Sequence, residues 1–232
     1  MTDFYELAYT VSVWALPILL AVTLHEAAHG WVAWKLGDHT AKSLGRVSFN
    51  PLKHIDPFGT VILPGLLLLG SGGKFMFGFA KPVPVNFWNL RSPRRDMILV
   101  ALAGPGANLL MAIAATLLVH LEPFLPVSMR VWYETNLFNA AWINLILGVF
   151  NMMPLPPLDG GRVAVGLLPR FLAEPLAKLE RFGIFIILGL LFILPWIGDA
   201  IGVKLNIFWW LVGEPALFLL RFIVQMAGVG GV

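Results

Sequence analysis

The chain has 232 residues, 58% apolar and 12% charged, with a formal net charge of +3 and a mean hydropathy of +0.81. Soluble domains carry about 25% charged residues, so the composition excludes an ordinary soluble domain and indicates an all-α polytopic membrane protein. The small charge does not suggest a nucleic-acid partner. Because cysteine is absent, disulfides and thiolate ligands are excluded too, and any metal must be held by His, Asp or Glu.

Residues 1–7 hold Asp3 and Glu6 but no Lys or Arg, unlike the basic start of a signal peptide, so the first apolar segment is expected to be retained. It covers about residues 7–36, longer than the roughly 20 residues a bilayer needs. Its only formally charged side chains are Glu26 and Lys35. In its last third stands His25-Glu26-Ala27-Ala28-His29. Two imidazoles four residues apart lie about 40° apart around a helix and about 6 Å along it, so both reach one ion. Glu26 points aside, where a general base is wanted next to the attacking water and not on the metal. Ionisable groups at membrane depth are costly and mark functional sites.

Residues 37–57 are polar and turn-rich, with Asn50-Pro51 and Asp56-Pro57 as turn signals. Residues 60–69 are apolar but too short for a span, which predicts a re-entrant segment. Residues 74–90 mix aromatics, valines, prolines and glycines and predict a small membrane-associated β-hairpin or extended edge. A second span is expected over 97–121, with small residues Ala103, Gly104, Gly106 and Ala107 permitting close helix approach. A third covers about 137–153. It runs into Asn151-Met-Met-Pro-Leu-Pro-Pro-Leu-Asp159-Gly-Gly-Arg162, which is too rich in proline and glycine for regular helix. Residues 162–181 are basic and interfacial, and further spans are expected over 182–198 and 205–224.

Lys and Arg cluster between Lys35 and Arg95 and again between Arg162 and Arg181. If residues 60–69 do not cross, all these basic stretches face one side, as the positive-inside rule demands. Five spans are therefore expected, with the N-terminus out, the C-terminus cytoplasmic and the site towards the cytoplasm; six spans would put two basic stretches outside.

Catalytic zinc sites use three protein ligands and leave one position open. Beyond His25 and His29, the candidates are His39, His54, Asp56, His120, Asp159 and Glu214. His120 belongs to the opposite face, and His39, His54 and Asp56 to a polar loop. Asp159 follows a span in a proline-broken stretch that can turn back into the bundle, with Gly160 and Gly161 allowing close backbone approach. From the residues alone, a surface turn aspartate reads equally well.

The set His25-Glu26-x-x-His29, Gly104-Pro105-x-x-Asn108 and Asn151…Pro154-x-Pro156-x-x-Asp159-Gly-Gly resembles the site-2 protease family of intramembrane zinc metalloproteases, in its short form without a PDZ or CBS domain. The resemblance implies one membrane-embedded domain over 1–232, with a core of about 7–170 and two additional C-terminal helices. It also implies Zn²⁺ held by His25, His29 and Asp159, Glu26 as catalytic acid/base, and Asn151 holding substrate or oxyanion. Residues 75–86 match a β segment that receives an unwound substrate strand. The implied partners are transmembrane protein substrates in the lipid bilayer of a cell membrane. Two other classes compete: a metal transporter, for which no inverted repeat is evident and Glu26 has no task, and a non-proteolytic scaffold, for which an intact Glu26 is unneeded.

Overall fold

The computed structural model describes residues 4–62, 65–66 and 81–229. Helix α1 (Phe4–Lys35) is followed by a single turn, α2 (Thr40–Ser43), and by short turns at Pro51–Lys53 and Pro57–Ile62. Helices α3 (Pro93–Leu118) and α4 (Val127–Asn151) pack along α1 and along each other to form the central bundle. Two short helices come next, α5 (Asp159–Leu167) and α6 (Arg170–Lys178). The chain closes with two long helical runs, Glu180–Ala200 and Trp209–Ala227. Their regular parts are α7 (Glu180–Leu188), α8 (Leu194–Ala200) and α9 (Glu214–Ala227), interrupted or preceded by wider π turns.

Among the described residues, four helices are long and apolar enough to cross a bilayer: Phe4–Lys35, Pro93–Phe124, Glu180–Ala200 and Trp209–Ala227. The bundle is inside-out relative to a soluble protein. Leu19, Leu20, Leu110, Phe138, Ile193, Trp196 and Phe218 are exposed, whereas Asn108, Asn136, Asn139 and Asn144 are buried. The close core is built from small residues, with Ala112, Ala115, Ala141 and Ala216 packed around Leu145, Leu220 and Ile223. Small side chains let helices approach closely where lipid supplies no hydrophobic drive for association.

Helix α4 begins ten residues before the apolar stretch that announced it. Its first turns carry Arg130 and Glu134 and are therefore more polar than a span. They are held by Arg130, whose guanidinium pairs with Glu122 at 3.0 Å and donates to the Leu125 carbonyl. Half of the expected re-entrant segment (residues 63, 64 and 67–69), and residues 74–80 of the expected hairpin, lie outside the described residues. No strand occurs among the described residues. Residues 81–86 have no regular secondary structure, and Phe87–Asn89 forms a tight turn. The reason is chemical: Pro82 and Pro84 have no N–H to give to a ladder, and the N–H groups of Val83 and Asn86 bond to side chains instead.

Two polar side chains fix the pieces that carry the site. Gly37, with φ of +114°, takes the left-handed conformation that glycine accepts readily at a helix C-terminus. The chain then delivers Asp38, fully buried, whose carboxylate accepts from Thr40 N and Oγ1, from Asn86 N at 2.7 Å and from Asn89 Nδ2 at 3.0 Å. This latches residues 86–89 to the end of α1. The Arg94 guanidinium, at the start of α3, donates to the carbonyls of Gly166 and Leu168, at and just past the end of α5, and so ties that helix to α3.

Burial pushes the Asp38 carboxyl up, but the hydrogen bonds from Thr40, Asn89 and Asn86 outweigh it and hold it below the ordinary carboxylate range. A carboxylate whose pKa falls on folding stabilises the fold above its unfolded value of about 4, and that contribution is lost as pH falls through the lower folded value. Asp38→Asn is expected to melt several degrees below wild type at pH 7 in detergent, with the gap closing below about pH 4. A gap that stays constant from pH 7 to pH 3 would contradict the latch.

Candidate metal centre

Helix α1 places His25 and His29 one turn apart on its buried face, 5% and 7% exposed. The Pro154–Leu158 turn brings the chain back so that Asp159, the first residue of α5, enters the same spot at 5% exposure. His25 Nε2 lies 3.0 Å from His29 Nε2, and Asp159 Oδ2 lies 3.2 Å from each.

The protonation of these atoms follows from their outer partners. His29 Nδ1 is 2.7 Å from the Val100 carbonyl, which can only accept, so Nδ1 carries the proton and a neutral His29 has a bare Nε2. His25 Nδ1 is 2.6 Å from Asn108 Oδ1 and is protonated for the same reason. Two lone pairs 3.0 Å apart are therefore not a hydrogen bond. Asp159 Oδ2 is buried and has no hydrogen-bond partner. With both imidazoles neutral, three acceptor atoms converge with no donor among them, an arrangement that repels itself unless a cation sits between. Their separations match the edges, about 3.3 Å, of a tetrahedron whose zinc–nitrogen and zinc–oxygen bonds are about 2.0–2.1 Å. The donor set of two imidazoles and one carboxylate fits zinc, and it is the single cluster of its kind among the described residues.

Backbone approach makes room for this site. A Cβ on Gly104 would lie 2.4 Å from His29 Nε2 and 2.6 Å from His25 Nε2, so α3 presents bare backbone to the cluster. A Cβ on Gly160 would lie 2.1 Å from the Met152 carbonyl, and one on Gly161 2.2 Å from Pro156 N. The two glycines let α5 start hard against the proline turn, which sets the depth of Asp159.

Glu26 is half-buried beside the cluster and Oε2 accepts from Val83 N at 2.7 Å. A cavity of about 530 Å³ borders His25, Glu26, His29 and Asp159, and is lined further by Val83, Asn151 and Arg162. Asn151 ends α4 with its Nδ2 turned back onto the Leu147 carbonyl at 2.9 Å. The other sequence candidates are elsewhere. His39 and Glu214 are exposed. His54 is buried in the loop and donates from Nε2 to Ser48 O. Asp56 accepts from Gly59 N, and His120 meets the Ala227 carbonyl.

Sequence reasoning did not anticipate the carbonyl of Val100 or the N–H of Val83, since a backbone group leaves no residue-type signal. Gly104 was legible as a small residue for helix packing, but its role against the imidazoles needs the crossing of α1 and α3.

Gly104→Ala is expected to lower the zinc content of the purified protein to a small fraction of wild type, because the added methyl overlaps both ligand nitrogens. Full zinc occupancy in that variant would contradict the geometry.

Peptidase family M50 matches residues 126–194. Over 182 residues, 77% of this chain and 78% of the relative, the chain is 41% identical to a Bacillus subtilis protein named "Putative zinc metalloprotease YwhC". It is 31% identical over 174 residues, 75% of this chain and 64% of the relative, to "Putative zinc metalloprotease Rip2" of Mycolicibacterium smegmatis. A Mycobacterium tuberculosis Rip2 is 34% identical over 145 residues, 61% of this chain and 52% of that relative. No solved structure matches. With a metal-ready His–His–Asp cluster in a helical membrane bundle and relatives of this similarity, the chain belongs to peptidase family M50, the site-2 protease family of zinc metalloproteases.

Proposed function

We propose that this chain is an intramembrane endopeptidase that hydrolyses peptide bonds in or near transmembrane segments of membrane proteins. The observation that carries the reading is the convergence of His25 Nε2, His29 Nε2 and Asp159 Oδ2 on a cavity that Glu26 also lines without belonging to the cluster. An ion path gives such a carboxylate no task; peptide hydrolysis requires one.

His25, His29 and Asp159 would hold zinc, which would supply Lewis acidity towards water and the scissile carbonyl. Glu26 accepts the proton of the attacking water and hands it to the leaving amine. Asn151, at the cavity wall, swings its amide from the Leu147 carbonyl to the developing oxyanion, where a positioned donor counts most. A peptide bond inside a helix is shielded by its own hydrogen bonds, and unwinding it in lipid leaves backbone groups that need partners. The segment over 75–86 supplies them by strand-like pairing; its described part, with Pro82, Val83 and Val85, borders the cavity.

The whole chain acts as one membrane-embedded unit, with Val127–Asn151 as a fifth span beside the four apolar helices. The excess of Lys and Arg over residues 35–95 and 162–181 supports an outward N-terminus and a site towards the cytoplasmic side of the cell membrane.

Glu26→Gln is expected to keep zinc at wild-type stoichiometry while cleavage of single-span substrates falls by at least about 100-fold, as loss of a general base does. Cleavage near the wild-type rate would remove Glu26 from the mechanism. Asp159→Ala is expected to lose zinc on dialysis, and unchanged metal content would remove Asp159 from the ligand set.

A further inference from the structure

His25 is held by a polar relay that crosses three helices, and the direction of every bond in it can be assigned. Asn144, on α4, is 2% exposed. It donates from Nδ2 to the carbonyl of Ala140 at 2.8 Å, which can only accept. Its Oδ1 must therefore face the other way, and it accepts from Asn108 Nδ2 at 2.7 Å. Asn108, on α3, is fully buried. Its Nδ2 also points at a second obligate acceptor, the carbonyl of Ala21 on α1, at 3.3 Å. The amide orientation of Asn108 is thus fixed by two helix carbonyls, one contacted directly and one through Asn144. What remains is Oδ1, and it faces His25 Nδ1 at 2.6 Å.

We propose that Asn108 is the positioning residue of His25. Its carbonyl oxygen holds the proton on Nδ1, so that Nε2 is left unprotonated and aimed at the ion, and Asn144 sets the sense of the Asn108 amide. The inference rests on the zinc reading above. A ligating imidazole works only in one tautomer and one ring orientation, and the partner of its outer nitrogen sets both; losing such a partner weakens metal binding about 10–100-fold. The two ligands are served differently. His29 uses the carbonyl of Val100, which no substitution at that position removes, whereas His25 depends on a side chain. A neutral amide suits the position: it accepts as a carboxylate would but adds no charge to a buried site.

Asn139 provides the control. It is a buried asparagine of α4 that likewise bridges to α1, donating to the Val13 carbonyl at 3.0 Å, but it touches no ligand. The test is zinc affinity by competition with a chromophoric chelator, in detergent, for wild type, Asn108→Leu, Asn144→Leu and Asn139→Leu. Asn108→Leu is expected to bind zinc about 10–100-fold more weakly, Asn144→Leu less severely, and Asn139→Leu within about twofold of wild type. Equal losses in Asn108→Leu and Asn139→Leu, or none in Asn108→Leu, would overturn the proposal. A second readout needs no variant: ¹⁵N shifts of the zinc-loaded wild-type protein are expected to put the His25 proton on Nδ1 and the metal on Nε2, and the reverse assignment would overturn it as well. Wild-type protein that binds no zinc would sink the functional reading itself; zinc bound equally well without Asn108 would sink this inference alone.

Discussion

Everything in the molecule's centre depends on one electrostatic constraint: two imidazole nitrogens and one carboxylate oxygen, all buried, lie within 3.2 Å of each other, and with both imidazoles neutral all three are acceptors. The penalty for gathering them in a low-dielectric interior is severe unless a cation completes the group. The rest of the fold holds them there. Asp159 is pinned from below by the Gly160–Gly161 contact with the proline turn and from the far end of α5 by Arg94. The imidazoles are pinned from behind by Val100 and Asn108. Gly104 leaves the gap into which their ring nitrogens point.

Membrane burial sharpens the same constraint. In a soluble bundle, misdirected polar groups can find water; here each must find protein. The asparagines of α3 and α4 do so with helix carbonyls and with one another, while the large apolar side chains face outward. Glu26 is the exception that the chemistry needs. Its carboxylate stands at a cavity, and its partner is a backbone N–H of the proline-rich segment. Under the proposed mechanism, that contact would join the group that moves the proton to the stretch that would take up an unwound substrate.

Much of this was legible beforehand, and for identifiable reasons. His25, Glu26 and His29 declare themselves because helical spacing turns a short string into a geometry. Asp159 was one of several candidates until its proline and glycine neighbours, and the resemblance they carry, singled it out. The long apolar helices were legible from hydropathy alone. The polar beginning of α4 was not, since its stability comes from the Arg130–Glu122 pair and not from apolar periodicity. Of the stretch expected to be a β-hairpin or extended edge, the described residues 81–86 form no strand, since Pro82 and Pro84 leave one edge without donors. The Asn108–His25 bond joins residues 83 positions apart, and no local pattern encodes which of several buried asparagines faces the site.

The central claim is that one zinc ion sits among His25, His29 and Asp159. X-ray absorption at the zinc edge of the purified, detergent-solubilised protein tests it most directly. The predicted spectrum is a single zinc per chain with two imidazole ligands and light oxygen donors at about 2.0–2.2 Å. Absence of stoichiometric zinc, or a first shell with three or more imidazoles, would contradict the account.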